Sequence, residues 1–210
     1  MSAARYIAIE GPLRVGKSSL TRALAERIHA RPILDTEENP FLTDFYKASS
    51  GAAFRAQMYF LMARYRQLSA AAIDGSHTPI VADFLFEKDK LFAYLNLSDD
   101  EVKVYDGYYE HFKEQLPTPD LVIYLKASPE VLRERIARKA VRAESKISAD
   151  YLRETVRAYE HFFAHYKGAD VLVVDTSKVD FVQNPADLEE LLQELSRPVL
   201  GTQYFLPLGS

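Results

Sequence analysis

The chain has no cysteine among its 210 residues, which excludes disulfides and thiolate zinc sites. It also lacks any excess of positive charge. With a formal net charge of −4, nothing electrostatic argues for a nucleic-acid polymer as partner, although a small anionic ligand needs only a local positive pocket. Long apolar runs are missing. The opening "MSAARYIAIEG" has no apolar stretch of secretory-leader length and no later segment is long enough to span a bilayer, so no membrane partner and a cytoplasmic setting are expected. Repeats, low-complexity tracts and linker-like segments are absent, which makes a single domain over residues 1–210 the economical expectation. Glycine is scarce, eight residues in all, so the close spacing of Gly11 and Gly16 is informative.

What is present alternates. "RYIAIE" (5–10), "PIVAD" (79–83), "DLVIYL" (120–125) and "DVLVVD" (170–175) are short, rich in β-branched residues and end on a polar one; "RPILD" (31–35) is a shorter fifth candidate strand. Amphipathic helices are expected between them at 16–30, 51–73, 84–115 with a break near Leu97–Ser98, 128–140, 148–167 and 185–195. Ser128-Pro129-Glu130 is a good helix start, a cap followed by proline at the first helical position. Strands alternating with helices predict an α/β fold whose five-stranded parallel sheet is covered on both faces. The tail from about residue 197 reads as irregular.

Gly11-Pro12-Leu13-Arg14-Val15-Gly16-Lys17-Ser18 fits G-x-x-x-x-G-K-[ST], and it lies between the first strand and the first helix, where that motif must lie. Glycines let backbone N–H groups curl around phosphate oxygens, and the helix N-terminus adds partial positive charge. Lys17 is placed to reach the outer phosphates, the Ser18 hydroxyl to ligate Mg²⁺, and Ser19 completes the loop. The reading is therefore a P-loop NTPase fold that takes ATP with Mg²⁺. Arg14 is the irregular residue. If its φ must be positive, the strain is about 1 kcal/mol, which a contact with phosphate would offset; the alternative is a side chain pointing to solvent.

The loop names a donor but no acceptor. Gln57 and Arg64 lie seven apart on one helix, hence on one face. Asp35 and Asp83 close two expected strands, and carboxyl ends of parallel strands face the ligand crevice, so both should converge with the loop. "EKDK" (87–90) has the look of a solvated charge run, and His161 and His165, four apart, have no evident third partner for a metal.

The stretches "YIAIEGPLRVGKSSL", "ENPFLTDFY", "QMYFLMARYRQ", "DFLFEKDKLFA", "PDLVIYLKASPEVLRERIARK", "ISADYL" and "LVVDTSKVDF" span nearly the whole chain in order. Together they resemble the deoxynucleoside kinases, in particular the bacterial deoxyadenosine, deoxyguanosine and deoxycytidine enzymes. The resemblance implies ATP-dependent phosphorylation of a nucleoside 5′-hydroxyl, with a nucleoside and a nucleoside triphosphate as small-molecule partners, and a homodimer. It implies that Gln57 reads the base edge with help from Arg64 and Asp89, and that Tyr46 and Glu144 meet the sugar 3′-hydroxyl, with Tyr151 completing the spacing. It implies a lid near 138–147, with Arg135 and Lys139 as its cations on ATP. The family's general base matches Asp35 most nearly, with Glu37 and Glu38 close by; Asp83 then orders Mg²⁺ or backs up the base.

The chain also departs from the family pattern. After the third strand the family has Glu-Arg-Ser or Asp-Arg-Ser, and here Asp83-Phe84-Leu85 stands, without the arginine that contacts the 5′ oxygen. Arg14 is one candidate substitute for that charge. The lid stretch "AVRAES" lacks the family's glycine. Two other readings stay open: a catalytically impaired relative that binds nucleotide, which these departures favour, and a nucleoside monophosphate kinase of thymidylate-kinase type, against which the missing arginine argues.

Overall fold

Side-chain alternation along the first strand divides the protein into two cores. In β1 (Tyr6–Glu10), Ile7 and Ile9 face one side while Tyr6 and Ala8 face the other. Neighbouring strands repeat the division, as a period of two requires. Ile123, Leu125, Leu172 and Val174 join Ile7 and Ile9, whereas Val122, Tyr124, Val171 and Val173 join Tyr6 and Ala8.

The computed structural model describes residues 4–36, 38–73, 78–140, 144, 147–179, 181 and 184–206. Its sheet runs β2 (Arg31–Ile33), β3 (Ile80–Ala82), β1, β4 (Leu121–Lys126), β5 (Asp170–Asp175), β6 (Thr202–Phe205), all parallel. It has six strands rather than the expected five. The tail read as irregular supplies the sixth, pairing Val171–Val174 of β5 with Thr202–Phe205. Thr202 and Tyr204 are exposed and Gln203 and Phe205 only half-buried, so a run without buried residues becomes a strand because β5 offers an unpaired edge.

The first face is covered by α1 (Lys17–Arg27), α6 (Pro129–Lys139) and α8 (Pro185–Leu195), through Leu20, Leu24, Leu132, Ile136, Leu188 and Leu191. The second is covered by α3 (Ala52–Ile73), α4 (Lys88–Asn96) and α5 (Asp99–Lys113), through Leu61, Leu68, Leu91, Tyr105 and Tyr109. α7 (Ala149–His165) serves both, with Leu152 and Val156 on one core and Tyr159 and Phe163 on the other. A short α2 (Leu42–Tyr46), not expected from the sequence, precedes α3. The expected break near Leu97–Ser98 is a capping box, in which Ser98 and Glu101 satisfy each other's backbone groups. Residues 84–87, expected as helix, instead form the turn that leads from β3 into α4. Among the described residues no helix is long and apolar enough to cross a membrane.

From β1 the chain first builds on one side, β2 and β3, and then on the other, β4 to β6. The carboxyl ends of β1 and its neighbours are where such a reversal opens a crevice.

Candidate active site

β1 ends on Glu10, and the phosphate loop begins at once. A Cβ on residue 11 would lie 2.2 Å from the Leu125 carbonyl oxygen, so only glycine lets the loop start this close to β4. Gly16, at φ 113°, turns the loop into α1, whose exposed backbone N–H groups then face the loop interior. The Lys17 ammonium donates to the carbonyls of Gly11 at 2.7 Å and Pro12 at 3.0 Å. Burial, and then the charge of Lys88, lower its pKa to about 8 against the opposing pull of Glu10, Asp83 and Asp35. Pro12 and Val15 are buried, Leu13 and Ser18 half-buried, and Ser19 is exposed.

Arg14 adopts φ 62°, the positive value its position suggested. Its guanidinium neither turns to solvent nor lies over the loop. It makes a two-pronged ion pair with Glu144, Nε to Oε2 at 2.8 Å and Nη2 to Oε1 at 2.5 Å. Tyr46, at the end of α2, lies in the same field: burial, Tyr151 and Glu144 raise its phenol to about 12, and Arg14 opposes them. Glu144, Tyr46, Arg14 and Tyr151 thus form one cluster beside the loop. The residues around Glu144 on which the lid expectation fell, 141–143 and 145–146, lie outside the described residues, as does Glu37.

Glu10 was missed in the sequence, where it reads as the polar end of a strand. It is fully buried. Its carboxylate accepts from the Gly11 N–H at 2.8 Å, the Leu85 N–H at 2.8 Å and the Tyr159 hydroxyl at 2.9 Å. Lys88, expected in a solvated run, is only 4% exposed, and its ammonium lies 3.5 Å from Glu10 and 3.3 Å from Asp35. The turn at 84–87 is what corrects that expectation, because it drives the first turn of α4 inward beneath the strand ends. Asp83 is buried and accepts from the Asp35 N–H at 2.5 Å. Asp35 lies two residues beyond β2, not at its end.

The helix-face pair converges as expected. Arg64 donates Nη2 to Asp35 Oδ2 at 2.7 Å and Nε to its Oδ1 at 3.1 Å, and Nη1 to Asp89. Its guanidinium lies over the Phe60 ring at 4.8 Å, a stacking that a planar cation allows. Burial alone would raise the Asp35 pKa, but the Arg64 and Lys88 charges and their hydrogen bonds hold it well below the usual carboxylate range. Asp89 also receives the Tyr105 hydroxyl at 3.0 Å, and Gln57 donates its amide to the Asp89 carboxylate and to its carbonyl oxygen at 3.0 Å. A continuous line of buried polar contacts therefore runs Gln57, Asp89, Arg64, Asp35, Lys88, Glu10, ending on the first N–H of the phosphate loop.

The remaining candidates lie at the rim. Arg135 backs the loop, donating to the Val15 carbonyl at 3.1 Å, and to the Thr176 hydroxyl and carbonyl at 3.1 and 2.5 Å. Lys139 is exposed at the end of α6. Ser18 and Asp83 are hard oxygen donors of the kind Mg²⁺ takes when phosphates and water supply most of its shell. Among the described residues no group of three His, Cys, Asp or Glu is arranged to hold a metal ion; the His161 carbonyl lies 2.8 Å from His165 Nδ1, and the two rings are 4.5 Å apart.

Three comparisons bear on this geometry. The deoxynucleoside kinase family profile matches residues 7–200. A deoxyguanosine kinase of Bacillus subtilis is 34% identical over 198 residues, covering 91% of this chain and 96% of the relative. A deoxyadenosine kinase of Lactobacillus acidophilus is 29% identical, covering 91% and 94%. Among solved structures, the deoxyadenosine kinase of M. mycoides with the products dCMP and a flexible dCDP bound superposes with a TM-score of 0.77 at 25% identity, covering 91% of this chain and 98% of that one. With a match that runs from the first strand to the last residues before β6, the chain belongs to the deoxynucleoside kinase family, and its relatives are phosphotransferases.

Proposed function

We propose that the protein transfers the γ-phosphoryl group of ATP to the 5′-hydroxyl of a deoxynucleoside, with a purine, deoxyguanosine foremost, as the favoured base. The observation that carries the reading is the buried line from the phosphate loop to Gln57, which sets a triphosphate cradle and a base-reading group at its two ends. The names of the relatives support the purine.

In the reaction the 5′ oxygen bonds to the γ-phosphorus as the bond from that phosphorus to the ADP oxygen breaks, and the hydroxyl proton passes to Asp35. A carboxylate held this far below neutrality is a weak base, so Asp35 orients the hydroxyl first and takes the proton late, which suits a loose transition state. Lys17 exchanges the carbonyls of Gly11 and Pro12 for outer phosphate oxygens. Ser18 and Asp83 would hold Mg²⁺, which offsets charge on the phosphates when bound. Arg135 and Lys139 close over the donor, Gln57 holds the base, and Tyr46 and Glu144 meet the 3′-hydroxyl. A supply of ATP places such an enzyme in the cytoplasm. The exposed Tyr94, Val104 and Tyr108 on α4 and α5 support a homodimer through that face.

Purified protein incubated with ATP, Mg²⁺ and each deoxynucleoside or deoxynucleoside monophosphate tests this directly. Deoxynucleoside monophosphate appears if the reading holds. Turnover of monophosphates alone gives the thymidylate-kinase-type reading instead, and tight nucleotide binding without any product gives the impaired one.

A further inference from the structure

We infer that Lys88 is a catalytic cation of this site, moving from Asp35 and Glu10 onto the transferring phosphoryl group or the 5′ oxygen as the two substrates meet. The inference rests on the proposed phosphotransfer and deepens it.

The plain alternative is that Lys88 merely neutralises buried carboxylates. The geometry does not favour that. Glu10 is already satisfied by two backbone N–H groups and the Tyr159 hydroxyl. Asp35 is already gripped by the guanidinium of Arg64. Against these, the Lys88 contacts are long, 3.5 and 3.3 Å, and an ammonium on a flexible four-carbon stem is not tightly docked at either. Burying a lysine is costly, and two loose contacts offset little of that cost.

Position supplies the reason for it. Glu10 is fastened to the first N–H of the donor loop, and Asp35 stands at the acceptor end of the line. Lys88 is the group that touches both, so it lies where donor phosphate and acceptor hydroxyl must come together. It also lies close enough to Lys17 for the two charges to repel. Two ammonium groups whose charges repel are relieved by an anion placed near both, and the charge on a transferring phosphoryl group is such an anion. Arg14, the other cation considered for this duty, has its guanidinium on Glu144.

Lys88→Met keeps an unbranched, nearly as long side chain and removes its charge. Single-turnover measurements should show a fall in the transfer rate of about 100-fold or more, the scale of losing one preorganised donor at a developing charge. Dissociation constants for ATP and deoxyguanosine should move less than about threefold, and Lys88→Arg should restore most of the rate, because charge rather than shape is required. If the rate per folded molecule is unchanged while thermal stability and both affinities fall, Lys88 is structural and the inference is overturned. No turnover by the unaltered protein would overturn the phosphotransfer reading itself. Should Lys88→Met not fold, the unaltered protein decides through a crystal structure with MgADP, aluminium fluoride and deoxyguanosine. Nζ within about 3.2 Å of a fluoride or the 5′ oxygen upholds the inference. Nζ still bound only to Glu10 and Asp35 ends it.

Discussion

Arg14 of the phosphate loop and Glu144, 130 residues later, form a two-pronged ion pair at 2.8 and 2.5 Å. The phosphate loop is thereby tied to the residue proposed to meet the acceptor sugar, and the tie is made by a residue whose backbone stands at φ 62°.

That combination separates two costs that a single substitution would confuse. Arg14→Ala removes the ion pair and keeps the strained backbone, whereas Arg14→Gly removes both. The glycine variant should be the more stable of the two by about 1 kcal/mol, less whatever entropy its unfolded chain gains. Both should raise the KM for deoxynucleoside several-fold, by no more than about 1.4 kcal/mol, as Glu144 loses its anchor. Thermal unfolding and steady-state kinetics on the pair check this; an alanine variant more stable than the glycine one by the full unfolded-chain entropy, about 0.4–1 kcal/mol, would show that the backbone is not under strain.

The Lys17 ammonium has its pKa lowered to about 8, because burial and Lys88 disfavour the charge. Above pH 8 the free protein therefore loses this cation, while bound triphosphate favours it. ATP binding between about pH 8 and 9 should take up protons, and kcat/KM for ATP should fall as pH rises through that window. Calorimetry in buffers of different ionisation enthalpy reads the uptake. Lys17→Ala should abolish it and cut transfer by orders of magnitude with the fold retained.

Asp35 shows the opposite sign. Its pKa is depressed below the unfolded carboxylate value of about 3.9, so its pairing stabilises the protein above that pH and the stabilisation is lost as acid titrates the folded group. Asp35→Asn should cost about 2–3 kcal/mol at pH 7. The gap between variant and parent should start to narrow only below about pH 4 and keep narrowing as acid reaches the depressed folded group. Denaturation followed from pH 7 down through that acid range measures it, and a gap independent of pH would mean that Asp35 contributes through packing alone.

Gln57→Ala should weaken deoxynucleoside binding by about 1–2 kcal/mol, roughly 5- to 30-fold, without altering ATP binding. The order of preference among the four deoxynucleosides should flatten. An unchanged preference would remove Gln57 from the base pocket.

The parts of this structure that could be read in the sequence are the ones written in short-range periodicity. Ile7, Ile9 and their alternating neighbours announce a buried strand, the Gly11–Ser18 spacing announces the loop, and Gln57 and Arg64 share a helix face at an interval of seven. Glu10 and Lys88 could not be found that way. Glu10 acquires its role from Leu85 and Tyr159, 75 and 149 residues away, and a polar strand end beside a glycine carries no mark of either. Its one signal is parity: it falls on the Tyr6 and Ala8 side of β1, which like the other side is buried core, where a carboxylate needs partners. Lys88 was hidden by its neighbours, since a run of alternating charges looks solvated until the turn at 84–87 sends Lys88 and Asp89 inward. β6 was hidden because its pairing depends on the edge of β5 rather than on its own residues.

Arg64 divides one guanidinium between Asp35, the proposed proton acceptor, and Asp89, which holds the Gln57 amide. A rigid fork shared in this way conveys misfit. If Gln57 reads the base as proposed, a wrong base edge that displaces it tilts Asp89, the fork turns, and the Asp35 carboxylate turns with it. Discrimination between deoxynucleosides should therefore be found as much in turnover number as in binding, with poor substrates occupying the site and failing there as inhibitors.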